Sequence, residues 1–328
     1  MIPRVRSVLV LVVLAIATAA CTGGGDPSPS PSVSAAGGTA IDPASLVVQV
    51  ASSDLSVDAS QRVNIGVYSS SPEGGVLLVT GGEIDVAFSP FESEGGSAAG
   101  GTGRYLPAPG TEVPATDEPT LTAPADARGV YEVGDVTFER AGVWDATATF
   151  TIDGAGPFEV AATPFNVLDE PAYPAPGDRA LKTRNLTVDS DAPVEAIDSG
   201  AVTTGAIPDP ELHAWTIVDA LRERRPIVAL FATPAFCQSL FCGPVTDGVQ
   251  DLAARYDDKA VFVHVEIWRE HDTVLNEAAA DWLYRNDNLT EPWLFLIDDR
   301  GTIVDRWGPL FDPDEVADQL AAMPDLPR

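Results

Sequence analysis

Lysine is almost missing from this chain: among 328 residues only Lys182 and Lys259 carry it. Lysine and arginine together number 19 against 49 aspartates and glutamates, a formal charge of −30. A surface of that sign repels phosphate backbones and anionic headgroups, which excludes nucleic acid as a direct partner. Cysteine is scarce too, at three, so a disulfide-dense scaffold is excluded. The only histidines are His213, His264 and His271, and the only methionines Met1 and Met323. So few soft ligands speak against a dedicated copper-handling protein, and no metal is expected. The first apolar run, Val8 to Ile16, is too short to span a bilayer stably.

What is present divides the chain into segments. At 328 residues and 45% hydrophobic, two folded units with linkers are expected. Residues 1–21 combine Arg4 and Arg6, the apolar run and the small residues Ala17-Thr18-Ala19-Ala20, which is the make-up of a secretion signal. Cys21 after Ala20 resembles a bacterial lipobox, although Thr18 replaces its usual large aliphatic residue. The resemblance implies lipidation of Cys21 and a position outside the cytoplasm, anchored to the outer face of the plasma membrane. Residues 22–44 contain the Gly/Pro/Ser tether that an anchored domain needs.

Residues 45–168 read as many short strands separated by Gly, Pro, Asp and Ser. Ala146 to Ile152 alternates as a half-buried strand should. The expected architecture is an all-β, immunoglobulin-like sandwich acting as a spacer, with a flexible insertion over Gly95 to Gly110. Residues 169–210, rich in proline and acidic residues, are expected to form an extended, exposed linker. From residue 211 to 328, helices and strands alternate. Helices are expected over Leu212–Arg224, Pro244–Tyr256, Thr273–Leu283 and Pro313–Ala322. Strands are expected over Pro226–Ala232, Ala260–Ile267, Trp293–Ile297 and Thr302–Trp307, an α/β pattern.

The chemistry concentrates at the end of the first of these strands. Ile227 to Phe231 is an uninterrupted apolar run, followed by Thr233-Pro234, Cys237, Cys242 and Gly243-Pro244. Proline suits a first helical turn. Both thiols therefore fall in the loop or at a helix N-terminus, where the macrodipole favours thiolate over thiol.

Strand, Phe-Ala-Thr-Pro and a cysteine pair ending in Cys242-Gly243-Pro244 resemble the active-site turn of thioredoxin-like proteins. The match covers roughly residues 212–328 and departs from the family in spacing, with four residues between the cysteines instead of two. The resemblance implies a C-terminal thioredoxin-like fold and thiol–disulfide exchange without a cofactor. Its partners would be protein thiols or disulfides of the cell envelope. By its distance from the strand end Cys237 would attack and Cys242 resolve, whereas the Cys242-Gly243-Pro244 signature and the nearby helix N-terminus leave the reverse assignment open. Thr290-Glu291-Pro292 occupies the place of the family's cis-proline loop, so Glu291, Pro292 and Trp293 are expected at the substrate groove. Glu266, in the strand Ala260–Ile267, is a candidate proton shuttle. Three other readings use the same residues: a structural disulfide in a non-catalytic binding module, a peroxiredoxin-like thiol peroxidase, and a Sco-type copper chaperone. The spacing and Pro244 argue against the second, and the missing soft ligands argue against the third.

Overall fold

A computed structural model describes residues 41–70, 75–91, 99–111, 116–237, 241–271 and 273–326. The expected signal, lipidated Cys21 and tether lie outside them. The chain is mostly β, with several sheets. Among the described residues no helix is long and apolar enough to cross a membrane.

The N-terminal unit consists of β1 (Leu46–Val50), β2 (Gln61–Ser70), β3 (Val76–Thr80), β4 (Glu83–Pro90) and β5 (Ala99–Pro107), followed by β6 (Thr120–Thr122), β7 (Gly129–Val136), β8 (Gly142–Ile152), β9 (Ala155–Ala161) and β10 (Phe165–Val167). Antiparallel ladders join all ten into one sheet, ordered β10-β8-β4-β5-β7-β2-β3-β6, with β1 on β2 and β9 on β8. A bridge from Val48 to Ala162 brings β1 back against the end of β9, so the sheet curls over its own core. Alternation along β8 buries Trp144, Ala146, Ala148, Phe150 and Ile152. Phe88, Phe138, Trp144 and Phe165 meet edge to face inside.

The expected flexible insertion is not found over residues 99–107. There β5 runs between β4 and β7 in mid-sheet. Its glycines are used for close packing. A Cβ on Gly103 would stand 3.3 Å from side-chain atoms of Ile84, Tyr131 and Val133, and one on Gly100 would stand 2.4 Å from the Val86 carbonyl oxygen. Bare backbone lets the large neighbours lie across the strand.

The remaining elements are α1 (Val194–Ile197), α2 (Ala201–Thr204), a 3-10 turn at Pro210–His213, α3 (Ile217–Arg222), β11 (Ile227–Ala232), α4 (Cys242–Tyr256) and β12 (Val261–Glu266). Two short hairpins follow around a helix: β13 (Trp268–Glu270) with β14 (Val274–Leu275), α5 (Glu277–Leu283), then β15 (Tyr284–Arg285) with β16 (Asn288–Leu289). The chain closes with β17 (Trp293–Ile297), β18 (Ile303–Trp307) and α6 (Pro313–Ala321). The four-stranded sheet is ordered β12-β11-β17-β18, with β11 parallel to β12 and both other ladders antiparallel.

Both faces of this sheet are covered, which explains the uninterrupted apolar run. Val228, Leu230 and Ala232 pack with Val245, Val249 and Leu252 of α4 and Val316 and Leu320 of α6. Ile227, Ala229 and Phe231 pack on the other side with Ile217 of α3 and Ala279 and Trp282 of α5. Several helix starts differ from expectation. Thr216 caps α3 by accepting from the Asp219 N–H, so the helix expected from Leu212 begins at Ile217. Residues before Glu277 form β14 instead of helix, and α4 begins at Cys242, two residues before Pro244.

Residues 169–210 also depart from the exposed linker expected of them. Thr183, Asn185, Ala196, Ile197, Asp198 and Ser199 are buried. Polar residues can be buried when every group finds a partner. Asn185 accepts from the Ile217 N–H and donates to the Trp215 carbonyl. Asp54 accepts from the Ala172 and Tyr173 N–H groups.

The two units share more than a tether. Leu106, Ala108 and Val130 belong to the same apolar cluster as α4 and α6. Arg306 of β18 pairs with Asp54 at 2.6 Å, and its guanidinium sits over Trp293. Arg62 of β2 pairs with Asp305 and Glu315 and lies over Trp307.

Candidate active site

Cys237 and Cys242 are joined as a disulfide with Cα atoms 5.9 Å apart. They sit beyond the carboxyl end of β11, where the buried Thr233 ends the apolar run. Cys237 is half-buried, whereas Cys242 is the first residue of the 15-residue α4 and is fully buried. The Thr246 hydroxyl donates to the Cys242 carbonyl at 2.7 Å, fixing the first turn. On reduction, the thiolate at Cys242 would face the positive end of the helix dipole. Cys237 is thus the more accessible of the two sulfurs.

The Pro292 loop closes the other side. A carboxylate oxygen of Glu291 and both sulfurs lie within 4.8 Å of one another. The Glu291–Pro292 peptide bond is cis, as the sequence led us to expect. Burial, and then the charge of Glu266, push the Glu291 carboxyl up to about 7, and its Oε2 is enclosed without a hydrogen-bond partner. Trp293 is mostly buried. Its indole N–H donates to Thr290 Oγ1 at 3.0 Å and its ring meets Tyr173 edge-on, so it anchors the loop as well as bordering the groove.

Glu266, at the end of β12, is 2% exposed, which excludes the solvent-facing orientation. Its Oε2 accepts from the Ser199 N–H at 2.8 Å and its Oε1 from the Trp268 N–H at 3.1 Å. Burial raises its pKa, against the pull of His264. Ser199 continues the chain of contacts: its hydroxyl pairs with Thr233 Oγ1 at 3.3 Å and accepts from the Ala235 N–H at 3.0 Å. A polar network thus runs from Glu266 to the first residues of the cysteine loop.

Behind it lies a cluster that sequence reasoning missed. Asp198 Oδ2 faces His213 Nε2 at 3.0 Å and His264 Nδ1 at 3.2 Å, and all three side chains are buried. Burial works against charge on Asp198, yet its hydrogen bonds to both histidines hold the carboxyl far below its ordinary range. Burial opposes the charged form of His264 as well, but Asp198 outweighs it and raises that pKa. Burial lowers the pKa of His213. The shared carboxylate thus favours charge on His264, while burial disfavours it on His213. Its members lie in three separate elements, and the one usable signal was His264 inside an apolar strand. His271, the third histidine, stacks instead on Phe236 with centroids 3.9 Å apart.

Between the two units opens a cleft of about 1000 Å³, lined among others by Tyr68, Phe236, Phe241, Trp268, Pro292 and Pro309. Phe236 and Phe241, the chain neighbours of Cys237 and Cys242, are part of that lining, so the cleft opens beside the cysteine loop. Comparison with protein-family models, curated proteins and solved structures found no match for this chain.

Proposed function

We propose that this protein is a membrane-anchored, extracytoplasmic thiol–disulfide oxidoreductase of thioredoxin-like type, tethered through Cys21 and acting on protein thiols or disulfides of the cell envelope. The observation that carries the reading is the pairing of a partly buried Cys237 with a fully buried Cys242 in a loop whose Phe236 and Phe241 line an apolar cleft. The strand–cysteine loop–helix order, and the placement of Glu291 beside the pair, support the thioredoxin-like reading of residues 211–328. For residues 45–168, antiparallel strands around an aromatic core support an immunoglobulin-like spacer, with one ladder folded over itself in place of two sheets.

In the reductive direction, the Cys237 thiolate attacks one sulfur of a substrate disulfide, forming a mixed disulfide and releasing a substrate thiolate that takes up a proton. Cys242 then loses its proton and attacks Cys237 Sγ. The protein disulfide forms and the second substrate thiolate leaves. Oxidation of substrate is the same sequence reversed. Because α4 starts at Cys242, Cys237 lies outside the helix, which counts against a peroxidase that carries both on one helix.

The test is the reduction potential of the pair, from equilibration of the full chain in defined thiol buffers and trapping of free thiols. A value of roughly −120 to −270 mV, with one thiol titrating below about 8.5, fits exchange. A value below about −300 mV without a low-pKa thiol makes the disulfide a staple and overturns the proposal.

A further inference from the structure

Glu291 presents an unresolved demand. Its Oε2 is closed off from water and has no hydrogen-bond partner. An enclosed carboxylate oxygen left alone is costly, and either a proton or a cation removes the cost. The groups around it decide which cations qualify. Cys237 Sγ, Cys242 Sγ and a Glu291 oxygen lie within 4.8 Å of one another.

We propose that, once the disulfide is reduced, Cys237, Cys242 and Glu291 together bind a thiophilic divalent cation of the zinc type. The inference goes beyond thiol exchange and requires only that the pair be reducible.

The ligand set argues for this class. Two thiolates are poor ligands for magnesium and calcium, while a carboxylate in third place suits zinc better than copper(I). Zinc holds sulfur at about 2.3 Å and carboxylate oxygen at about 2.0–2.2 Å, which places tetrahedral ligands roughly 3.5 Å apart. The present cluster reaches that spacing with a small separation of the sulfurs, which loss of the S–S bond permits. The anchors are dissimilar and firm: Cys242 in the first turn of α4, and Glu291 on the loop entering β17. Three protein ligands leave a fourth position for water or a further ligand.

Binding releases the two thiol protons and any proton on Glu291. Release runs with oxidation. The two bound thiolates give two electrons to an incoming disulfide and form the Cys237–Cys242 bond. The two thiolates of the cleaved disulfide depart along with the cation. The metal-bound form would thus hold the dithiol in store until a disulfide arrives.

The experiment uses the full chain, reduced and freed of reductant without air, titrated with Co²⁺ and then with Zn²⁺ in competition. The expected result is one Co²⁺ per chain, with tetrahedral d–d bands and thiolate charge-transfer absorption, and none in the oxidised protein. Glu291→Gln should weaken Zn²⁺ binding about tenfold or more. Glu291→Asp, which keeps the carboxylate, should fall between, and it decides the case if the glutamine variant does not melt cooperatively. The inference is overturned if the reduced protein takes up no stoichiometric metal, if oxidised protein binds equally, or if Glu291→Gln and Glu291→Asp both bind as tightly as the parent, which would mean a bare dithiol. An exchange-range potential without metal binding sinks this inference and leaves the proposed function. Metal binding with a potential below about −300 mV does the reverse.

Discussion

Asp54→Ala should be among the most damaging single changes in this protein, although the residue lies far from the cysteines. The Asp54 carboxylate is fully buried and receives three donors: Arg306 Nη1 at 2.6 Å, the Ala172 N–H at 2.8 Å and the Tyr173 N–H at 3.2 Å. Breaking a buried ion pair from one side costs about 3–5 kcal/mol, because the surviving charge remains uncompensated. Each amide left without an acceptor adds about 1–3 kcal/mol. The losses overlap, so the expected total is about 4–6 kcal/mol, a large share of a stability of about 5–15 kcal/mol. Arg306→Met should cost somewhat less, about 3–5 kcal/mol, because it breaks only the ion pair while Asp54 keeps both amide donors. Urea unfolding of the oxidised protein, read as a shift in midpoint at constant slope, measures both. The reasoning is refuted if Asp54→Ala costs under about 1 kcal/mol, or if Arg306→Met proves the worse of the two.

Three further outcomes rest on contacts elsewhere in the structure. Because the folded Glu291 carboxyl sits near 7 and its ordinary value is 4.5, the folded state holds a proton that the unfolded state has lost. Stability should therefore fall by about 3 kcal/mol as pH rises from 4.5 to above 7, and Glu291→Gln should flatten that part of a melting-temperature profile. Trp282→Ala removes a fully buried ring that packs on Phe231 and Phe295 and donates to Thr183 Oγ1; chemical denaturation should show a loss of about 3–5 kcal/mol. Gly100→Ala forces a Cβ to within 2.4 Å of the Val86 carbonyl, so β4 and β5 must part; a loss of about 1–3 kcal/mol is expected, and hydrogen exchange should localise it to those strands.

The elements most legible in the sequence were those whose burial is complete and whose ends carry punctuation. Ile227 to Ala232 and Trp293 to Ile297 are continuous apolar runs because helices cover both faces of their sheet. Pro313 begins α6 with Asp312 as its cap, and that signal is local. Cys237, Cys242, Glu291 and Pro292 could be gathered into one site only through the resemblance to the thioredoxin-like active-site turn and its proline loop. What escaped was whatever depends on partners distant in the chain. Asp198 and Ser199 read as exposed linker because nothing nearby announces that His213, His264 and Glu266 will enclose them. The glycines of β5 read as flexibility, since the bulk they accommodate belongs to β4 and β7. The contacts of Arg62 and Arg306 across the join were invisible for the same reason.

That join also ties the cleft between the units to the loop beside the sulfurs. The N-terminal unit overhangs the cleft through Tyr68 and Arg128, while the opposite wall carries Phe236, Phe241 and Pro292. Arg306 and Arg62 clamp β18 to this overhang, and β18 is laddered to β17, which begins directly after Pro292. Widening the opening therefore means pulling on the very loop that faces the disulfide. Any change in the width of the cleft is thus transmitted through β18 and β17 to the Pro292 loop, so the two units and the cysteine pair are mechanically coupled.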